Sequence, residues 1–162
     1  MSYNYNNVYP VRCCFKYVLN KRQIRMAEIF EITKEALRKG WSNKFDYWFS
    51  RSDYMLRSVD TLGDFENGTD LSTSTYLVSK GYIPYFTISE EEVIKKFIAQ
   101  LGNKKLAEIF KSVSDEELSD TFWKYFNAYK QISDTYEEFE DNYLHNKAEE
   151  WCKENSINYR FV

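Results

Sequence analysis

Ser89-Glu90-Glu91-Glu92-Val93-Ile94-Lys95-Lys96-Phe97-Ile98-Ala99-Gln100-Leu101-Gly102 is the stretch from which the fold is read. A serine followed three residues later by a glutamate, just ahead of an apolar run, is a capping box that starts a helix. The three carboxylates fall in the first turn, where the positive end of the helix dipole favours negative charge. Val93, Ile94, Phe97, Ile98 and Leu101 recur at three- and four-residue spacing, and Gly102 supplies the stop.

Toward the C-terminus the pattern repeats. Leu106, Ile109, Phe110 and Val113 form a short helix. Ser114-Asp115-Glu116-Glu117 is a second capping box, opening a helix with Leu118, Phe122, Tyr125, Phe126 and Tyr129 inward. Ser133 caps a last helix whose apolar side carries Tyr136, Phe139, Tyr143, Leu144, Ala148, Trp151 and Cys152. From Ile157 to Val162 the apolar residues alternate, which suits a returning strand.

Toward the N-terminus the reading mixes strands with helices. Thr75–Val78 and Tyr82–Ile88 are rich in β-branched and aromatic residues around Ser79-Lys80-Gly81, a hairpin with Pro84 on an edge strand. Residues 58–73 read as an acidic loop with an Asn67-Gly68 turn. A helix is expected from Ser42 to about Arg57, and another from Asn20 to Lys39 with Ile24, Ala27, Phe30 and Leu37 inward and Gly40 as stop. Val11–Leu19 alternates as a strand. The expected fold is a mostly helical α+β single domain, with five to six helices and a small sheet drawn from the first strand, the hairpin and the C-terminal strand. Its segments are 1–57 (strand plus two helices), 58–88 (acidic loop and hairpin) and 89–162 (helical half with terminal strand).

The 162 residues are 43% apolar and 29% charged, enough for a packed core of one domain. No run approaches the roughly 20 apolar residues that cross a bilayer, and the opening MSYNYNNVYP lacks a signal-peptide profile, so no membrane partner is expected. Three cysteines, two of them adjacent (Cys13 and Cys14), make a poor disulfide framework and point to a reducing, cytoplasmic setting. With one histidine and no C-x-x-C pair, a Cys/His zinc site is excluded. Aromatics make up 19% of the chain, which fits an aromatic core or, near Trp41 to Tyr54, a sticky interface.

Constellations that carry chemistry are few. His145 has Asp141 four residues before it and Glu149 four after, on one helix face, but that face points away from the apolar stripe. The acids Asp60, Asp64, Glu66 and Asp70 do not match an EF-hand, because position 5 counted from Asp64 is Gly68 and position 12 is Thr75. Glu90-Glu91-Glu92 and Asp115-Glu116-Glu117 are first-turn charges after a serine. Cys14 lies beside Arg12 and Lys16 with no histidine nearby in sequence. The phosphate-loop, dinucleotide, nucleophile-elbow and zinc-protease motifs are all absent. No cofactor or metal is expected, and an enzyme reading is disfavoured.

Charge is polarised along the chain. Residues 1–81 carry 12 basic and 9 acidic side chains, and residues 82–162 carry 10 and 16. The basic excess gathers on the first strand and helix at Arg12, Lys16, Lys21, Arg22, Arg25, Arg38 and Lys39, and the first five of these are a candidate face for an acidic partner or nucleic acid. A sequence pI of about 5.4 falls well short of the usual nucleic-acid footprint. Residues 134–154 hold 8 acidic and 2 basic side chains, which makes Glu137, Glu138, Glu140 and Asp141 the candidate face for a basic partner.

The order Gly81-Tyr82-Ile83-Pro84, a helix with Phe97-Ile98, an aromatic helix, Tyr136-Glu137-Glu138-Phe139 and the closing Glu150-Trp151-Cys152-Lys153-Glu154-Asn155-Ser156-Ile157 resembles an uncharacterised bacterial protein family. Members of that family close with a similar Trp-Cys-x-Glu-Asn-x-Ile tail. The likeness spans about half of the chain and does not extend to residues 1–81. Ser156 stands where glycine is usual, which shifts the expected left-handed stop to Asn155. The resemblance implies a small bacterial cytosolic protein and no activity. Together these readings lead to a bacterial or phage protein, without enzymatic activity, that binds or regulates another macromolecule. A protein is the first expectation, a nucleic acid the second, and an unfamiliar enzyme the third.

Overall fold

The computed structural model describes residues 28–65 and 74–162. In its helical half the punctuation of the sequence is followed closely. Helix α4 of this half (Glu90–Gln100 in full) starts at Ser89, whose Oγ accepts from the Glu92 N–H at 3.2 Å, and Gly102 follows it at φ +64°. Next come α5 (Lys104–Lys111), capped by Asn103, a 3₁₀ turn (Asp115–Glu117), α6 (Leu118–Ala128) and the long α7 (Lys130–Glu154). Two expected caps are not made. Ser114 turns its hydroxyl to Glu117 rather than to a backbone N–H, so the 3₁₀ turn intervenes before α6. Ser133 lies inside α7, donating to the Lys130 carbonyl at 3.1 Å.

The half before α4 departs from the sequence reading. Residues 28–33 are extended, not helical: strand β1 (Phe30–Ile32) buries Phe30 and Ile32 on either side of exposed Glu31. Thr33 then caps the short α1 (Lys34–Arg38), accepting from the Ala36 N–H at 3.1 Å. Gly40 sits in a 3₁₀ turn (Lys39–Trp41), and its role is close approach, since a Cβ there would meet the Phe86 ring at 2.5 Å.

The helix expected over 42–57 is instead a hairpin of β2 (Tyr47–Ser50) and β3 (Met55–Ser58), in register Phe49↔Leu56. Trp48 and Phe49 are both buried, because β2 is a central strand packed on both faces. Such a strand shows a continuous apolar run instead of alternation. The acidic stretch begins as α2 (Val59–Phe65), and residues 66–73 lie outside the described residues. Thr75–Val78 belongs to helix α3 (Ser74–Ser79), not to a strand. Gly81 at φ +84° ends that turn, and β4 (Tyr82–Pro84) follows. The three-stranded order is β3-β2-β4, so Pro84 does lie on an edge strand. The C-terminal strand is present as β5 (Tyr159–Phe161), parallel to β1 in a separate two-stranded sheet. The strand expected at Val11–Leu19 lies outside the described residues.

The fold is α+β and mostly helical, as the sequence implies. One large core joins β1, β2, α1 and α4–α7, and a smaller one of Trp48, Leu62 and Leu77 lies on the other side of β2. Trp151 of α7 ties the halves together. Its ring meets Phe49 and Tyr85 edge-on at 5.6 and 5.0 Å, and its Nε1 donates to the Pro84 carbonyl at 2.9 Å. Most aromatic side chains among the described residues are thus in the core or packed against it. Among the described residues no helix is long and apolar enough to cross a membrane.

Candidate binding surface along the last helix

Helix α7 buries Ile132, Tyr136, Leu144, Ala148, Trp151 and Cys152, and this fixes where its charges go. Glu137, Glu138 and Asp141 are exposed and Glu140 is half-buried. None of the four makes an ion pair among the described residues, whereas Glu149, two turns on, pairs with Lys153 at 2.7 Å and accepts from the Tyr159 hydroxyl at 2.7 Å. The four carboxylates lie in mid-helix, beyond the reach of the dipole's positive end. Glu137 and Asp141, like Asp134 and Glu138, are like charges four residues apart, a spacing that disfavours the helix.

Glu140 lines a cleft of about 580 Å³ between α7 and the β1–α1 segment. Burial, then the charges of Asp141 and Glu137, hold its carboxyl above the usual range, with Arg38 opposing. One wall of the cleft carries Glu140 and Asp141. The other carries Lys34, Arg38 and the half-buried Trp41 over Ile32, Leu37 and Leu144. An anionic helix face running into an aromatic-lined cleft can seat a cationic side chain, by ion pairing at the carboxylates and by cation–π contact with the indole.

His145 is exposed, as the helical wheel requires, and lies at the edge of this cleft. Its Nδ1–H donates to the Asp141 carbonyl at 2.7 Å, since a carbonyl can only accept, and its ring packs on Phe161 at 4.8 Å between centroids. The Asp141–His145–Glu149 row is therefore not assembled through its carboxylates. Among the described residues no group of three or more His, Cys, Asp or Glu could hold a metal ion.

The other acidic candidates are absorbed by structure. Glu90 accepts from the Ser119 hydroxyl and the Trp123 Nε1–H, Glu91 pairs with Lys95, and Asp115 pairs with the same lysine at 2.7 Å. Glu92 accepts from the Tyr143 hydroxyl at 2.5 Å and pairs with Lys147 at 2.9 Å, and these contacts hold its carboxyl below the usual range. Asp60 and Asp64 fall in α2. Cys152 is buried, which pushes its thiol up to about 12, far from nucleophilic use. Arg12, Lys16, Lys21, Arg22, Arg25 and Cys14 lie outside the described residues.

Of the expected interface near Trp41–Tyr54, Trp48 and Phe49 are core, Tyr54 packs edge-on against Phe49, Phe45 is exposed, and Tyr47 and the cleft residue Trp41 are half-buried. The sequence reading missed the wall formed by Lys34 and Trp41. Their pairing with α7 depends on β1, and a helix assigned across residues 20–39 hides it. Neither a scan against protein-family models nor searches of curated proteins and of solved structures finds a match.

Proposed function

We propose that this protein is a non-enzymatic cytoplasmic binding protein, and that its partner is a protein with a basic surface, received on the face formed by Glu137, Glu138, Glu140 and Asp141. One observation carries this reading: four neighbouring carboxylates make no ion pair among the described residues, and one of them, Glu140, is half-buried in a cleft that Trp41 lines, with Lys34 and Arg38 on the facing wall but not in ion-pair contact. That arrangement is unfavourable in the free molecule and is relieved when a cation arrives. Surfaces that handle nucleic acid are the partner class this face suits, the carboxylates standing in for phosphate charge. Binding of this kind regulates such a partner by occupying its basic surface.

The test is affinity capture of tagged protein from its host lysate, with and without nuclease, read by mass spectrometry. It is run beside a variant carrying Glu137→Lys, Glu138→Lys, Glu140→Lys and Asp141→Lys. A stoichiometric protein that survives nuclease and is lost with the reversed variant supports the reading. Equal capture by both proteins removes it. Recovery of nucleic acid, or of proteins lost on nuclease treatment, transfers the function to the basic residues Arg12, Lys16, Lys21, Arg22 and Arg25.

A further inference from the structure

Helices α4 and α5 meet at the Gly102–Asn103 turn and diverge from it, leaving a groove of about 520 Å³ closed at one end by the start of α6. Its walls are apolar: Ile98 from α4, Ala107 and Phe110 from α5, Val113, and Leu118 from α6. Phe110 and Leu118 are buried, while Ile98, Ala107 and Val113 stay half-buried, so apolar surface is left lining the groove. A volume of this size with mainly apolar walls and a few polar groups is the usual character of a small-molecule site.

The polar side chains in the lining are three lysines, Asn103 and the carboxylate of Asp115. Lys104 and Lys111 stand at the two ends of α5, seven residues apart and hence on one side of the helix, roughly 10 Å from each other along its axis. Neither has an ion-pair partner among the described residues. The third rim lysine, Lys95, is already held between Glu91 and Asp115. An uncharged apolar molecule would leave the two free cations unused, and a polyanion would leave the apolar walls unused. An apolar chain with one anionic head uses both.

We infer that this groove binds an amphiphilic organic anion of the fatty-acid class, its chain along Ile98, Ala107 and Phe110 and its head on Lys104 or Lys111. Helix α7 contributes nothing to the groove, so the site is independent of the acidic face.

The full chain is titrated with decanoate and with 1-decanol by isothermal calorimetry. Saturable binding of decanoate at one site is expected. The double variant Lys104→Glu, Lys111→Glu should weaken decanoate by about tenfold or more while changing 1-decanol little, because only the charged head meets the lysines. Ala107→Trp should abolish both by filling the groove. Should that variant lose its circular-dichroism spectrum, Ala99→Trp, at an exposed position on the opposite wall, replaces it. Non-saturating binding, equal loss of both ligands in the lysine variant, or indifference to both tryptophan variants overturns the assignment. So does failure to bind decanoate where the same lysine change abolishes capture of a protein, which would make the groove a protein-docking surface.

Discussion

Ser156 ends α7 in the left-handed conformation, at φ +54°. The Ile157 N–H reaches back to the Cys152 carbonyl at 2.9 Å and the Ser156 N–H to the Lys153 carbonyl at 3.1 Å, the paired bonds of a Schellman stop. Asn155, the better left-handed residue on type alone, stays at φ −94° and donates its side-chain amide to the Trp151 carbonyl instead. The sequence located the stop to within one residue. It could not rank Asn155 against Ser156, because burial of Ile157 and Cys152 sets where the chain must turn. A non-glycine residue held here costs about 1 kcal/mol. Ser156→Gly is therefore expected to stabilise the protein by about 0.5–1 kcal/mol, read as a higher urea midpoint at unchanged slope. Tyr85 is a second residue at odds with its surroundings. Its ring packs against Phe86 and Trp151, but its hydroxyl is buried with no hydrogen-bond partner among the described residues. Tyr85→Phe removes an unsatisfied polar group and keeps the ring contacts, so a gain of about 1 kcal/mol is expected in the same assay.

The elements that the sequence revealed are those with local punctuation. Helix α4 has its serine cap and its glycine stop, and α7 has a long apolar stripe, so both could be read from spacing alone. The elements that it concealed owe their form to distant partners. β2 is a strand because Phe49 faces the large core and Trp48 the small one, and Phe45, Trp48, Phe49 and Ser52 fall by chance at helical spacing. β1 is extended because β5, more than a hundred residues away, pairs with it. The candidate site follows the same division: the carboxylates of α7 were visible, and the opposing wall of Lys34 and Trp41 was not. On α7 itself, Glu140 makes a pH-dependent contribution. Its folded-state carboxyl lies above the unfolded value, so the ionised form is penalised in the folded protein. The penalty is fully present at pH values above the folded titration and disappears once the pH falls below the unfolded one. Glu140→Gln should accordingly raise stability at pH 7, by no more than about 0.5 kcal/mol, and this advantage should vanish near pH 3. Parallel urea titrations of the two proteins at the two pH values check the sign. An advantage that grows toward low pH would show that the carboxyl is favoured by its surroundings.

At the scale of the molecule, α7 has two sides with different roles. Its inner side carries Trp151, Tyr136 and Leu144 and holds the two sheets and the helical half in one core. Its outer side carries, at Glu137, Glu138, Glu140 and Asp141, charge that the fold does not use: among the described residues these four make no ion pair and no dipole contact, and they stand at unfavourable four-residue spacings, whereas Glu149 nearer the helix end is paired with Lys153. Proteins commonly lose stability where they gain a binding surface, and removing such a surface then stabilises them. The most direct measurement joins both quantities on one neutralised variant, Glu137→Gln, Glu138→Gln, Glu140→Gln and Asp141→Asn: urea stability at pH 7 and capture of the nuclease-resistant protein partner. Equal or higher stability with capture lost is the expected result. Lower stability with capture retained would mean that these carboxylates serve the fold and that binding, if any, lies elsewhere.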